Sequence, residues 1–229
     1  MIERNEMKFE NDIEMFEFME QYFYAAALSD ILDEMDYPEC AVSPHAQIKP
    51  LFPQAVCAGR IRTALNAHVN TGKEDPYKLA IELLDSIKPG EIAVCTSDKP
   101  LETGIMGELS ATSMRERGGR GCIVDGYTRD ARKIIQQKFP AFARGTSPVN
   151  TSGRAAIVEY DGPVICGGRR VVPGQIVFAD MDGIVFIPRD IEMDVIYEAA
   201  KRVKVENEIR GKLGEGATLR DMWDEYGVL

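Results

Sequence analysis

Residues 91–140, EIAVCTSDKPLETGIMGELSATSMRERGGRGCIVDGYTRDARKIIQQKFP, repeat one pattern twice: a short apolar run, a loop, then a helical stretch. Ile92 to Thr96 reads as a buried strand. Thr103 to Glu108 reads as a loop, and the helix after it runs to about Arg117, where Gly118-Gly119 ends it. Cys122-Ile123-Val124 is the second strand, Asp125-Gly126 turns the chain, and a helix over roughly Arg129 to Lys138 closes at Pro140. Strands that alternate with helices in this way pair in parallel, with the helices as crossovers. The spacing therefore predicts an α/β fold.

Outward from this stretch the pattern changes. On the N-terminal side, Asp75-Pro76 opens a helix with Leu79, Ala80, Leu83, Leu84 and Ile87 at helical spacing, up to Pro89-Gly90. Gln47 to Leu65 carries β-like runs broken by Pro50 and Pro53. Residues 12–36 read as helical, with Ser29 a candidate cap before Asp30. On the C-terminal side, residues 154–187 are short β runs separated by Gly162-Pro163, Gly167-Gly168, Pro173-Gly174 and Asp182-Gly183, which suggests antiparallel or barrel-like β. A long charged helix follows over 189–214, and a shorter one from Leu219 to Tyr226. No repeat or linker divides the chain. The expectation is one α/β domain over 1–229 with mixed sheets, a helical extension at 1–24 and a helical C-terminal arm at 189–229.

Composition narrows the function. At 229 residues, 45% hydrophobic and 28% charged, the chain can bury a sizeable core. Its formal net charge of −10 repels phosphate backbones, so no nucleic-acid partner is expected. No apolar run approaches the roughly 20 residues that span a bilayer, so no membrane partner is expected either. The acidic first 18 residues lack the apolar stretch of a signal peptide. Cys40, Cys57, Cys95, Cys122 and Cys166 form no CxxC pair, and several sit in strand-like runs. They read as buried free thiols in a reducing compartment, and a cytoplasmic location is expected.

Ligands in open α/β sheets collect where strands run into loops and helices. Two such loops are present, Gly104 to Ser110 and Asp125 to Asp130. If Gly107, Glu108, Leu109 and Ser110 begin a helix, their unpaired N–H groups suit a carboxylate. Arg129 offers a bidentate fork and Asp130 a hard oxygen for a divalent cation. Taken alone, Asp130 would more often be a helix-start residue, and Arg129 a solvated charge. His45 and His68 lack metal-ligand spacing and read as structural or surface residues.

The order and spacing add weight. Gly107-Glu108, then twenty residues, then Arg129-Asp130, resembles the Gly-Asp/Glu … Arg-Asp signature of the RraA-like family. Ala111, Arg117-Gly118, Val124-Asp125-Gly126, Val172-Pro173-Gly174-Gln175-Ile176-Val177 and the run from Asp180 to Pro188 are also similar to that family. The resemblance covers roughly residues 25–215.

The resemblance implies a swivelling β/β/α-type fold and homotrimers or homohexamers with sites between subunits. It also implies a divalent-metal-dependent lyase, a pyruvate aldolase. Such an enzyme would cleave a 4-hydroxy-2-oxo diacid in the retro-aldol direction and release pyruvate, with oxaloacetate decarboxylation as a side activity. Asp130 would then hold Mg²⁺ or Mn²⁺. Arg129 would grip the 2-oxo acid and stabilise enolate charge, and the backbone of Gly107 to Ser110 would hold its carboxylate. Glu108, standing where several aldolases have aspartate, would orient water. A C-terminal glutamate, Glu206 or else Glu208, would reach a neighbouring subunit's site. The alternative implied by the same family is a non-catalytic regulator that binds a ribonuclease or another protein.

Overall fold

The computed structural model describes residues 7–69 and 75–228. The N-terminal six residues of the expected extension, and Leu229 of the arm, lie outside the described residues. Two helices come first, α1 (Asp12–Tyr22) and α2 (Ala25–Glu34), followed by β1 (Lys49–Pro50), β2 (Cys57–His68) and α3 (Lys78–Asp85). Next are β3 (Glu91–Ser97), β4 (Gly104–Met106), α4 (Glu108–Glu116), β5 (Gly121–Thr128), α5 (Ala131–Gln136) and β6 (Ala141–Thr146). The chain continues through β7 (Ala155–Tyr160), β8 (Val164–Cys166), β9 (Arg169–Val171), β10 (Ile176–Ala179) and β11 (Ile184–Ile187) to α6 (Glu192–Gly214) and α7 (Leu219–Tyr226).

Among the described residues, one mixed sheet runs in the order β1-β6-β5-β3-β2-β10-β11, with β4 added to β5 and β7 to β2. β2, β3, β5 and β6 are mutually parallel neighbours, as the strand–helix alternation predicts. β7, β10 and β11 pair antiparallel, as the punctuated second half predicts. β8 and β9 form a separate hairpin. The apolar runs of β3 and β5 are continuous because both faces are covered. Ala93, Cys95, Cys122 and Val124 face α3, α4 and α5 through Leu83, Ala111, Met114 and Ile134. Ile92, Val94 and Ile123 face the opposite way, towards Phe142, Val177 and the β8–β9 hairpin. All five cysteines are free, and four of them are buried.

The helices at the chain ends share a third cluster with the sheet, where Met15, Phe16, Met19, Leu28, Leu32, Ile196 and Ala199 cover Ala58, Ile176 and Phe178. Burying side chains of this size contributes roughly 1.5–3 kcal/mol each. Polar ties fix the angle of α1. Arg60 is bracketed by Asp12 and Glu192, and Arg120 pairs with Glu20 at 2.7 Å. Glu20 Oε1 also accepts the Ala58 N–H at 2.8 Å.

Four local expectations are corrected. Residues 12–36 are two helices broken at Phe23-Tyr24, and Ser29 lies inside α2 and caps nothing. The N-terminus of α2 is instead capped across the fold by buried Asp180, whose Oδ2 accepts the Ala25 N–H at 2.8 Å. Asp125-Gly126 is not a turn, because β5 runs on to Thr128, paired with β4 on one side and β6 on the other. The dipeptide produces an irregularity between Val124 and Tyr127 in the β5–β6 ladder. The helix expected over 129–138 is the shorter α5, bounded by left-handed Asp130 (φ 56°) and Lys138 (φ 53°). Likewise α3 spans only Lys78–Asp85, and Ile87 lies beyond it. Among the described residues, no helix is long and apolar enough to cross a membrane.

Candidate active site

The two glycine-bearing loops meet. β4 lies against the last residues of β5, with Gly104 opposite Tyr127 and Met106 opposite Thr128. Met106 O accepts both the Arg129 N–H at 2.8 Å and the Thr128 hydroxyl at 2.7 Å. These two bonds bring the start of α4 beside the start of α5, so Gly107 and Asp130 become neighbours although 23 positions separate them in the sequence.

Asp130 sits at φ 56°, a backbone region that aspartate tolerates better than most residues. It offers no side-chain cap to its own helix. Its Oδ2 instead accepts the Glu108 N–H at 3.3 Å, satisfying one orphan donor of α4, and lies 3.4 Å from Arg129 Nε. Neither contact uses Oδ1. The Nη atoms of Arg129 have no hydrogen-bond partner among the described residues. Small residues make this approach possible. A Cβ at Gly104 would lie 2.7 Å from Arg129 Cβ and 2.8 Å from Ser147 O. Arg129 and Asp130 thus share one wall of a cleft of about 290 Å³ with Gly107, Leu109 and Ser110.

The rest of the lining comes from other loops. Asn66 near the end of β2, Pro76 and Tyr77 before α3, and Asn150 and Thr151 before β7 contribute to it, as do Ala156 and Ile157 of β7. The sequence reading missed these residues. The polar stretch from Thr146 to Ser152, which directly follows a parallel strand, was the available signal.

The remaining expected side chains, Leu109 apart, lie elsewhere. Glu108 turns its carboxylate away from the cleft lining, where Oε1 accepts from Thr112 at 3.2 Å and from Gln137 at 3.1 Å, with Lys133 at 3.8 Å from Oε2. Leu109 is 79% exposed at the cleft rim. Glu206 is half-buried on α6, which packs against α1, α2 and α7, and neither it nor Glu208 lines the cleft within one chain. Burial raises the Glu206 pKa from its ordinary value, opposed by Arg210. His68 Nε2 contacts Pro100 O at 3.2 Å, and His45 lies in a short 3₁₀ turn, neither of them at the cleft.

A family model described as RraA-like: Aldolase/RraA matches residues 26–186. The chain belongs to the RraA-like family. That segment holds both cleft loops and every strand except the last residue of β11, and leaves α1, α6 and α7 outside. This RraA-like chain is 31% identical over 131 residues to an uncharacterised protein of Methanocaldococcus jannaschii, covering 57% of this chain and 62% of that one. The match therefore spans less than two thirds of that relative. A Halalkalibacterium halodurans protein, provisionally named a 4-hydroxy-4-methyl-2-oxoglutarate aldolase, is 29% identical over 155 residues, 68% of this chain and 70% of its own length. Among solved structures, Streptomyces coelicolor RraAS2, described as an unusual member of the RNase ES inhibitor RraA protein family, superposes with a TM-score of 0.74 at 24% identity. The match covers 89% of this chain and 98% of that one, and at this identity it speaks for the fold alone.

Proposed function

We propose that this RraA-like protein is a divalent-metal-dependent lyase that cleaves a 4-hydroxy-2-oxo diacid and releases pyruvate. The observation that carries the reading is the shared wall of Arg129, Asp130 and the start of α4. It offers a guanidinium fork, a carboxylate oxygen and helix N-terminal N–H groups to one small ligand.

The donor set fits a labile cation. Asp130 keeps Oδ1 clear of the contacts made by Oδ2, and the cleft has room for water beside a substrate. Among the described residues, no group of three or more His, Cys, Asp and Glu converges, so a cation at Asp130 would retain water and substrate oxygens in its shell. Mg²⁺ or Mn²⁺ held there would polarise the 2-oxo group as a Lewis acid.

The chain's own groups supply the rest. The first-turn N–H groups of α4 receive the C1 carboxylate. Arg129 opposes the negative charge that builds on the C2 oxygen when the C3–C4 bond breaks and its electron pair enters the enolate. The C4 hydroxyl loses its proton as that carbon becomes a carbonyl, and C3 gains a proton to give pyruvate. Glu108 acts as a positioning residue that ties the first turn of α4 to α5 through Thr112 and Gln137. Glu206 is the candidate proton carrier in an assembly that brings a second copy's α6 to this cleft, and its raised pKa suits that task.

Pyruvate release from a panel of 4-hydroxy-2-oxo acids and oxaloacetate, with and without Mg²⁺, tests the proposal. Release that depends on the cation supports it. Release that survives exhaustive chelation overturns the metal mechanism, and no release from any member overturns the lyase reading.

A further inference from the structure

The loops that complete the cleft are held as firmly as those that carry Arg129. The loop between β6 and β7 is pinned to the segment before β4. Gly104 N–H donates to Val149 O at 2.9 Å, and the Ser147 hydroxyl donates to Glu102 O at 2.6 Å. Arg154 folds back on the same loop, with Nη1 3.4 Å from Asn150 O. Asn150 is held further by its own side chain. Its Oδ1 accepts the Tyr77 hydroxyl at 3.0 Å and the Ser152 N–H at 3.2 Å. Two donors on one oxygen fix which end of the amide is which. They leave Nδ2, with no partner among the described residues, as the polar atom still available to a ligand in the cleft that Asn150 and Tyr77 line.

The cleft's polar groups are thus unevenly matched. Among the described residues that line it, Asp130 is the single carboxylate, while Arg129 and Asn150, from different loops, offer side-chain donors. A ligand with one acceptor group would leave one of these two donors unmatched. We infer that Asn150, fixed by Tyr77, is a specificity-determining residue that donates from Nδ2 to a second carboxylate of the ligand, distinct from the 2-oxo acid group that Arg129 holds. This rests on the 2-oxo acid reading of the site. It adds which residues separate a 2-oxo diacid from a 2-oxo monoacid.

The informative substitution is Asn150→Asp. It keeps an Oδ1 for Tyr77 and Ser152, so the loop retains its ties, and it replaces one donor by a negative oxygen. The probes are 2-oxoglutarate and 2-oxobutyrate, a diacid and a monoacid that lack the C4 hydroxyl required for cleavage. Their binding is measured by calorimetry with Mg²⁺ on the full chain.

The expected result is a loss of roughly tenfold to a hundredfold in 2-oxoglutarate affinity, with 2-oxobutyrate affinity nearly unchanged. Tyr77→Phe, which frees Asn150 to rotate, should give a smaller loss with the same selectivity. If the wild type binds both acids and Asn150→Asp weakens both equally or neither, Asn150 does not read the second carboxylate and only this inference falls. If the wild type binds neither acid, the 2-oxo acid reading falls with it. Unchanged melting of Asn150→Asp, measured alongside, confirms that the loop ties survive.

Discussion

Gly107 and Asp130 are so close that a Cβ on the glycine would lie 3.0 Å from Asp130 Oδ2 and 3.1 Å from Arg129 Cγ. Gly107 has an extended backbone, φ −132°, which alanine can adopt. Gly107→Ala should therefore fold normally but push the Arg129–Asp130 pair out of position. A shift of this kind costs roughly tenfold to a hundredfold in turnover. Steady-state pyruvate release beside a thermal melt checks this. Unchanged turnover would show that the spacing of the pair does not matter.

Arg129→Lys should lose about 10²–10³ in kcat, because a point charge replaces a planar fork aimed at the developing oxyanion. The side chain is partly exposed and lies outside the core clusters, so the melting temperature should hardly move. Near-wild-type turnover in the lysine variant would remove Arg129 from the proposed chemistry.

Asp130→Asn separates the cation role from the structural one. Asparagine tolerates the left-handed backbone at this position and can still accept the Glu108 N–H through its oxygen. The half-saturating Mg²⁺ concentration in the pyruvate assay should rise steeply, and higher cation should restore part of the rate. An unaltered metal titration would argue that the cation binds elsewhere.

Much of this was legible in the sequence, for identifiable reasons. Parallel β3 and β5 declare themselves through apolar runs bounded by glycine and proline; Arg129-Asp130 follows β5 directly, and Gly107 is reached from β3 through the short β4. Asp125-Gly126 misleads because its turn preference is local. The pairing of Tyr127 and Thr128 with β4 and β6 is a tertiary gain that overrides it. Asn150 had a signal in the polar stretch after β6, whereas its partnership with Tyr77 could not be read forward, because the two loops lie far apart in sequence. Glu206 was chosen from a resemblance, and within one chain its helix packs in a different cluster.

The buried thiols make a prediction independent of catalysis. Burial pushes Cys95 up to about 12 and raises Cys57, Cys122 and Cys166 as well. Only Cys40 is partly exposed, and burial together with Asp33 raises its pKa too. A disulfide reagent should therefore label one of the five cysteines in the native protein, at a rate still climbing above the ordinary thiol pKa, and all five in denaturant. Rapid native labelling of two or more would contradict the packing of β2, β3, β5 and β8.

Phe16 is fully buried in α1 and flanked by the guanidinium groups of Arg60 and Arg120, 5.9 Å and 6.0 Å from its ring centre. Phe16→Ala should cost about 3–5 kcal/mol in urea unfolding. A loss below about 0.5 kcal/mol, within the range of ordinary surface substitutions, would mean that α1 is not an integral part of the core.

The bond from Ala58 N–H to Glu20 has a bearing on how this chain can be shortened. Ala58 is aligned with Phe178 of β10, while register with β3 on the other flank begins only at Arg60. Its N–H therefore faces a place where the neighbouring strand has run out, and a glutamate from α1 stands in for the missing carbonyl. The helix is a stopper in the sheet's open corner. A version trimmed to residues 26–186, the segment that the family model matches, would bare both that donor and the apolar surface beneath Phe16, and so invite strands of other molecules to dock there.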